Sequence, residues 1–131
     1  MKKPKDPEER LGPLNGIVVL DMTQFLAGPF STQILADLGA QIIKLEAPTG
    51  DWSRTLPPHF VGSDSCYYLS INRNKQGIVI DMKAPEGLDL VNQLAQKCDI
   101  VIENFRPGVL ERLGFTYEML STNNPTLIWA S

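Results

Sequence analysis

Five short apolar runs constrain the fold of this chain more than any other feature. They cover residues 17–20, 42–45, 78–80, 100–102 and 127–129, and the first four stop at Asp21, Glu46, Asp81 and Glu103. Short runs rich in β-branched residues, separated by helical patterns, are typical of parallel strands buried on both faces. The runs therefore predict strands at about 17–21, 41–46, 77–82, 99–103 and 126–130, in an α/β fold with a Rossmann-like parallel sheet.

Helical patterns lie between these runs. A helix is predicted to open at Ala27-Gly28-Pro29 and to end at Gly39, and a second to start at Pro85. A short helix is predicted from Pro107 to Leu113, and another after Thr116 as its N-cap. The residues expected to face the core are Phe30, Ile34, Leu35 and Leu38 in the first helix, and Leu88, Val91, Leu94 and Ala95 in the second.

The remaining segments define the domain organisation. Residues 1–12 are polar and are predicted to form a flexible tail, and residues 13–131 to form the N-terminal, incomplete part of a larger domain. Residues 47–76 contain several Pro and Gly, with a short helical turn or an edge strand expected at 67–69. This segment either covers one side of the sheet or forms a wall over a ligand site.

Composition excludes several classes of protein. With 43% hydrophobic and 21% charged residues the chain is globular rather than disordered, and a net charge of −3 gives no general field for nucleic acid. No apolar run approaches the roughly 20 residues of a membrane span, and the charged N-terminus does not resemble a signal peptide. The chain is expected to be cytoplasmic, or alternatively to lie in the mitochondrial matrix. Cys66 and Cys98 have no metal or redox spacing and are expected to be reduced.

Cationic and aromatic residues follow the predicted strands. An open parallel sheet binds ligands at the carboxyl ends of its strands, where Lys83, Arg106 and Arg112 are expected to lie. These side chains either hold phosphate groups or are solvated surface charges. Phe105 is a candidate for stacking on an aromatic base, and Asn104 either contributes to the site or caps the helix that starts at Pro107.

Other chemistries find less support. The nucleotide fingerprint G-x-G-x-x-G is missing after the first strand, where only Gly28 is present, so a dinucleotide oxidoreductase is disfavoured. The strand-end carboxylates are more consistent with neutralisation by neighbouring cations than with an acid–base pair or a metal site. His59, the single histidine, lies in a Pro-Pro-His-Phe segment that suggests no catalytic triad.

An ordered set of motifs identifies a family. The segments are Pro13-Leu14-Asn15-Gly16, Leu26-Ala27-Gly28-Pro29-Phe30, Asp37-Leu38-Gly39-Ala40, Ile43-Lys44-Leu45-Glu46, Asn72-Arg73-Asn74-Lys75, Asp81-Met82-Lys83, Glu103-Asn104-Phe105-Arg106-Pro107-Gly108 and Asn124-Pro125. Together they resemble the class III CoA-transferases, the CaiB/BaiF family, from about Pro13 to Ser131. The family contains CoA-transferases that act on carboxylic acids and also acyl-CoA racemases.

The resemblance implies that the turns after the first, third and fourth strands converge on one pocket for acyl-CoA, with CoA as substrate and no permanently bound cofactor or metal. It places Leu26 and Ala27 in the site. It places Ile80, Asp81, Met82 and Lys83 at the nucleotide end of CoA. It places Asn104, Phe105 and Arg106 beside adenine and ribose, and Arg112 at a phosphate.

The family's catalytic groups lie downstream of the segment matching 128–131, so no catalytic residue is expected in this chain, and residues 1–131 alone are expected to be inactive. Transferases of the family use an Asp nucleophile and a covalent aspartyl-CoA intermediate, in interlocked homodimers, with acyl-CoA and a small carboxylic acid as partners. Gln24, Leu26 and Ala47 differ from the formyl-CoA:oxalate pattern. The long segment 47–76 and its Asn72-Arg73-Asn74-Lys75 motif are more similar to the succinyl-CoA:dicarboxylate branch. A racemase of the same family, or a non-catalytic module that binds a nucleotide or a protein, is the alternative.

Overall fold

A five-stranded parallel sheet forms the centre of this computed structural model, which describes residues 12–131. Its strands are β1 (Val18–Asp21), β2 (Gln41–Glu46), β5 (Gln76–Val79), β6 (Ile100–Ile102) and β7 (Ile128–Ala130). A separate antiparallel hairpin is formed by β3 (Phe60–Val61) and β4 (Asp64–Ser65). The predicted α/β class and the five parallel strands are confirmed. Most of the predicted tail, residues 1–11, lies outside the described residues.

Five α-helices connect these strands. They are α1 (Ala27–Asp37), α2 (Cys66–Ile71), α3 (Pro85–Ala95), α4 (Val109–Arg112) and α5 (Tyr117–Asn123). The predicted starts at Ala27 and Pro85 and the Thr116 N-cap agree with the structure, in which the Thr116 hydroxyl accepts a hydrogen bond from the Met119 amide. A 3-10 helix spans Trp52–Thr55.

The strand order in the sheet is β5-β2-β1-β6-β7. Counted along the chain, the sheet therefore runs third, second, first, fourth, fifth, as in doubly wound dinucleotide-binding sheets. In such an order the chain leaves β1 and β6, which are neighbours, toward opposite faces of the sheet. In parallel register, Val19 of β1 lies beside Ile42 of β2 and beside Ile100 of β6. A crevice between these strand ends is the expected position of a ligand.

Side chains alternate between two hydrophobic clusters on the two faces of the sheet. On one face Val19 and Ile42 pack with Ala36 of α1. On the other face the larger cluster contains Leu20 and Leu45 together with apolar side chains of α3, α4 and α5. Val91 and Ala95 of α3 belong to this cluster, and Leu88 and Leu94 pack against it at half-buried positions, as predicted.

The predicted inward face of α1 is wrong. Phe30, Ile34 and Leu38 are exposed and Leu35 is half-buried, whereas the buried residues of α1 are Pro29, Thr32, Gln33 and Ala36. Helix α1 covers charged side chains at the end of β1, and the Thr32 hydroxyl donates to Asp21 Oδ2 at 2.6 Å. Because buried charges need hydrogen-bond partners, the polar face of the helix is the one that packs inward.

The chain between β2 and β5, residues 47–75, is called the middle segment. It is ordered into the 3-10 helix, the hairpin and α2, so residues 67–69 are helical rather than an edge strand. The 3-10 helix and the hairpin are joined by a hydrogen bond of 2.5 Å that the Ser65 hydroxyl donates to the Ser53 carbonyl. Cys66 begins α2 and is exposed, whereas Cys98 is buried. Both are free thiols, and burial raises the pKa of Cys98 to about 11.

Candidate functional site

A cavity opens at the carboxyl edge of the sheet, beside the ends of β1, β2 and β5. Its volume is about 160 Å³, and most of its wall is apolar. The lining residues are Met22, Gln24, Leu45, Ala47, Ile80, Asp81, Met82, Lys83, Phe105, Val109 and Leu113. Residues that follow β1, β5 and β6 therefore meet in one space. The cavity is smaller than the roughly 300–1,000 Å³ of a complete ligand pocket, so it suits one ring system of a larger ligand.

The aromatic wall and the cationic rim of this cavity come from different strands. Phe105 follows β6 and is half-buried, and Lys83 follows β5 and is exposed. An aromatic face in an apolar pocket favours a flat ring as its partner, and a nearby ammonium favours negative charge. The combination fits a flat heterocycle that carries an anionic group.

The loop that carries Lys83 is held in place from both ends. The Asp81 carboxylate accepts a hydrogen bond from the Lys83 amide at 2.9 Å. Gly87 in α3 lies so close to this loop that a Cβ there would overlap the Asp81 carbonyl group. The loop therefore rests directly on the first turn of α3, which fixes the rim of the cavity.

The turn between β1 and α1, residues 22–26, is called the first turn. Phe25 has a φ of 74°, a left-handed conformation that non-glycine residues adopt at an energetic cost. Phe25 does not line the cavity, and its ring stacks on Trp52 with 5.7 Å between the ring centroids. Met22 and Gln24 line the cavity instead.

Asn104 connects the first turn to the loop after β6. Its Oδ1 accepts from the Gln24 amide at 2.9 Å, and its Nδ2 donates to the Gln24 carbonyl at 2.8 Å. Asn104 therefore spans the crevice between the ends of β1 and β6. The neighbouring residue, Phe105, is oriented by a hydrogen bond from its amide to Glu103 Oε2 at 2.8 Å.

Buried charges lie beneath the first turn. Lys75 Nζ is 3.1 Å from Asp21 Oδ2, and Lys44 Nζ is 2.9 Å from Asp51 Oδ2, with all four side chains at most 2% exposed. Lys44 also donates to the Thr23 carbonyl of the first turn. Burial lowers the pKa of Lys75, and the Asp21 carboxylate offsets part of this effect. These ion pairs hold the residues beneath the first turn in place. Removing either member of a pair would leave the other as an uncompensated buried charge.

Glu46 at the end of β2 binds the middle segment. Arg54 donates to both of its carboxylate oxygens, at 2.7 Å each, and Tyr68 donates at 2.8 Å. Burial by itself would raise the pKa of Glu46, but the hydrogen bonds from Arg54, the Asp51 amide and Tyr68 outweigh it and hold the pKa below its usual range. The pKa of Asp51 is also lowered: burial opposes the shift, and the Lys44 cation and the Ser53 hydrogen bonds outweigh it.

The predicted site residues fall into two groups. Ile80, Asp81, Met82, Lys83 and Phe105 line the cavity. Leu26 and Ala27 are exposed at the start of α1, and the Asn104 amide is occupied by Gln24. Arg106 lines an adjacent cavity of about 360 Å³, which Phe105 also lines. Arg112 is exposed beside Gly108.

Sequence reasoning did not single out Met22, Gln24, Leu45, Ala47, Val109 or Leu113 as lining residues. Met22, Gln24, Leu45 and Ala47 could have been predicted because each lies at the end of a predicted strand or just after it. Val109 and Leu113 could have been predicted because they are four residues apart in the predicted helix 107–113. The buried ion pairs were also missed, because Lys44 reads as an ordinary residue within an apolar run. Arg73, Asn74 and Lys75 bind α1 and β1, as in the 2.8 Å bond from Lys75 to the Pro29 carbonyl.

Within residues 12–131 no group of three His, Cys, Asp or Glu side chains is arranged to hold a metal ion. The helices in that range are all too short or too polar to cross a bilayer. The chain is thus an α/β protein with a parallel sheet and an aromatic-walled, cation-rimmed cavity at the carboxyl edge of that sheet.

Comparison with known proteins identifies the family. Residues 14–131 match the sequence profile of CoA-transferase family III. This chain therefore belongs to CoA-transferase family III, in agreement with the motifs from Pro13 to Ser131.

Characterised relatives have two different acceptor acids in their names. The chain is 45% identical over 130 residues to succinyl-CoA:glutarate CoA-transferase of Homo sapiens, a match that covers 98% of this chain and 30% of that protein. It is 47% identical over 126 residues to acetyl-CoA:oxalate CoA-transferase of Acetobacter aceti, covering 95% of this chain and 32% of that protein. The chain thus spans about 30% of the length of these relatives.

Solved structures agree with the fold. A CaiB/BaiF family protein from Brucella suis superimposes with a TM-score of 0.85 at 42% identity, covering 90% of this chain and 32% of that protein. A hypothetical protein from Mycobacterium tuberculosis superimposes with a TM-score of 0.83 at 39% identity, over 92% of this chain and 33% of that protein.

Proposed function

We propose that this chain forms the N-terminal CoA-binding part of an acyl-CoA:carboxylate CoA-transferase. The observation that carries the proposal is the cavity that Phe105, Met82 and Lys83 line at the carboxyl edge of the sheet. Its apolar wall suits the adenine ring, and Lys83 at its rim suits a phosphate of the same nucleotide. Membership of CoA-transferase family III supports CoA over other adenine nucleotides.

The remainder of CoA extends beyond the cavity in this proposal. Arg106, in the adjacent cavity, and Arg112, on α4, are exposed cations on the same side of the sheet. Arginine binds phosphate bidentately, so these residues are assigned to the phosphate groups. Leu26 and Ala27, exposed at the start of α1, are assigned to the acyl end of the substrate.

The proposed reaction follows the family's nucleophilic route. An aspartate carboxylate, outside residues 1–131, attacks the donor thioester and releases the CoA thiolate as a mixed anhydride forms. The thiolate then attacks the aspartyl carbonyl, releases the donor's carboxylate, and leaves an aspartyl-CoA thioester. The acceptor carboxylate attacks that thioester and releases the CoA thiolate as a second mixed anhydride forms. The thiolate then attacks the acceptor's carbonyl in this anhydride, which gives the acceptor's CoA thioester and restores the aspartate carboxylate. Dividing the exchange into covalent steps lowers each barrier.

The acceptor is proposed to be a small dicarboxylic acid. The middle segment with its Asn72-Arg73-Asn74-Lys75 motif resembles the succinyl-CoA:dicarboxylate branch, and a succinyl-CoA:glutarate CoA-transferase is among the relatives. The proposal includes an interlocked homodimer at natural length, a site with no permanent cofactor, and a cytoplasmic or mitochondrial matrix location.

Calorimetric titration of the natural-length protein tests the proposal. CoA and adenosine 3′,5′-bisphosphate are expected to bind, and NAD is expected to bind much more weakly. The variant Phe105→Ala should weaken both CoA and the bisphosphate, because base stacking in the cavity contributes about 1–3 kcal/mol. The variant Phe60→Ala, which removes an exposed ring of β3 that lines neither cavity, is the matched control and should leave bisphosphate binding unchanged. Equal binding of NAD and CoA would overturn the assignment to CoA.

An activity assay separates the two chemistries of the family. Exchange of CoA between succinyl-CoA and a free dicarboxylate is expected from the natural-length protein. If the protein instead releases label from the α-proton position of a 2-methylacyl-CoA and does not exchange CoA between acids, it is the racemase. CoA binding without either reaction would support the non-catalytic module. Residues 1–131 alone are expected to give no turnover.

A further inference from the structure

Asn104 occupies the position where doubly wound sheets usually hold a ligand. That position is the crevice between neighbouring strands from which the chain leaves toward opposite faces, here β1 and β6. Both polar atoms of the Asn104 amide bond the backbone of Gln24 across this crevice, at 2.9 and 2.8 Å. The crevice is therefore closed by the protein itself, and the cavity lies beside it.

The pairing engages both polar atoms of the Asn104 amide with the backbone of a single residue. The Asn104 oxygen accepts the Gln24 N–H, and its nitrogen donates to the Gln24 carbonyl, so the two groups form a closed pair. Alanine offers neither function, and a carboxylate offers only the acceptor. The chemistry of the pair therefore requires an amide at residue 104.

Phe25, the residue after Gln24, has a backbone conformation that must be held by its surroundings. Phe25 has a φ of 74°, and the nearest further restraint on its amide is Asp51 Oδ1 at 3.4 Å. A non-glycine residue keeps such a conformation when the surrounding contacts enforce it. The Asn104 amide bonds the peptide units on either side of Gln24, and the bond from Lys44 holds one of the same units.

We propose that Asn104 is a positioning residue for the CoA cavity. Through Gln24 it fixes the first turn, whose residues Met22 and Gln24 line the same cavity as Phe105. It acts through these residues, a role in addition to the adenine-flanking one that the resemblance implies. This inference rests on the proposed function, since it concerns the same cavity.

The test compares Asn104→Ala with Asn124→Ala in the natural-length protein. Asn124 is the matched control because its Nδ2 donates to the Cys98 carbonyl at 2.8 Å, at the opposite edge of the sheet. Each variant removes side-chain hydrogen bonds to backbone, so both should lose thermal stability. Asn104→Ala should weaken CoA binding about tenfold, and Asn124→Ala should leave it unchanged.

Trp52 provides a spectroscopic signature that does not depend on CoA. Its ring stacks on Phe25, and its contribution to the spectrum is the difference between each protein and the same protein carrying Trp52→Phe. The near-ultraviolet circular dichroism band of Trp52 should change in Asn104→Ala and not in Asn124→Ala. If Asn104→Ala does not fold, Asn104→Asp keeps the bond from the Gln24 amide and should show a smaller change in the same direction.

The outcomes separate the two proposals. Unchanged CoA affinity, or an unchanged Trp52 band in both Asn104 variants, would overturn the positioning role. Equal loss of affinity in Asn124→Ala would overturn it as well, because the loss would then follow stability alone. Failure of the unmodified protein to bind CoA would overturn the proposed function, whereas the Trp52 band would still test the hold on the first turn.

Discussion

Lys75 Nζ lies 3.1 Å from Asp21 Oδ2, and the two side chains are only 2% and 0% exposed. The pair joins β1 to the segment before β5, and Lys75 also donates to the Pro29 carbonyl in α1 at 2.8 Å. One buried ammonium therefore fixes the strand end, the helix and the segment that leads to the next strand. The first turn rests on this arrangement, so the stability of the fold and the shape of the cavity are linked.

Removing the Lys75 charge should destabilise the fold strongly. In Lys75→Met the Asp21 carboxylate stays buried and loses its cation, although Thr23 and Thr32 still donate to it. The expected loss in the free energy of unfolding is about 3–5 kcal/mol. Urea denaturation followed by circular dichroism measures it. The control is Arg73→Met, whose ion pair with Asp37 has side chains 58% and 40% exposed and should contribute less than about 1 kcal/mol. Similar losses in both variants would contradict the prediction.

Gly28 should not tolerate a side chain. A Cβ at this position would overlap the Thr23 side chain, which is itself buried in the first turn. Gly28→Ala is therefore expected to cost about 1–3 kcal/mol in unfolding free energy as helix and turn move apart. Gly77→Ala in β5 is the matched control, since a Cβ there meets no atom within 4 Å. Thermal unfolding should separate the two variants, and an equal melting temperature would refute the close approach of α1 to the first turn.

Glu46 should make stability sensitive to acid. Its pKa in the folded protein lies below the ordinary 4.5, because the hydrogen bonds from Arg54, the Asp51 amide and Tyr68 outweigh the opposing effect of burial. The unfolded chain therefore binds a proton more readily. The stabilisation is fully present above pH 4.5 and is lost as the pH falls through the lower, folded value. Asp51, also lowered from 3.8, acts in the same direction.

The variant Glu46→Gln tests this dependence. At neutral pH it should lose about 1–3 kcal/mol, because charge-assisted hydrogen bonds from Arg54 are removed. Between pH 5 and pH 3 its urea midpoint should fall less steeply than that of the unmodified protein. Glu118→Gln, on the exposed side of α5, should keep the original profile. A Glu46→Gln profile as steep as the original would show that other carboxylates govern acid unfolding.

The sequence predicted the sheet well because its signal is local. A β-branched run such as Ile100–Ile102 needs burial on both faces, and no helical periodicity competes with it. The strand-end position of Lys83 and Phe105 followed from the same runs, since parallel strands place their carboxyl ends on one edge. Both residues line one cavity in the structure.

The polar contacts between segments far apart in sequence could not be predicted from local sequence patterns. The face of α1 was predicted from hydrophobicity, but it is decided by Asp21 and Lys75, which are 54 residues apart in sequence. The pairing of Asn104 with Gln24 spans 80 residues. Asn104 lies three residues before Pro107-Gly108, and this pattern is typical of a residue that caps a helix. The residues around Asn104 therefore gave no indication that it pairs with Gln24. Buried polar partners are specified by tertiary structure, not by the pattern around each residue.

Lys83 should bind the nucleotide end of CoA through charge. In Lys83→Ala the affinity for CoA is expected to fall about threefold to tenfold, because an exposed ammonium contributes modestly to a phosphate contact. The loss should shrink at high salt, since ions screen an exposed pair. Lys97→Ala is the matched control: Lys97 is also exposed, but it precedes β6 and lies at the opposite edge of the sheet. Calorimetry at low and high salt measures both variants. Because the two substitutions change the net charge equally, a general field would weaken CoA binding in both, whereas a phosphate contact at the cavity rim weakens it only in Lys83→Ala.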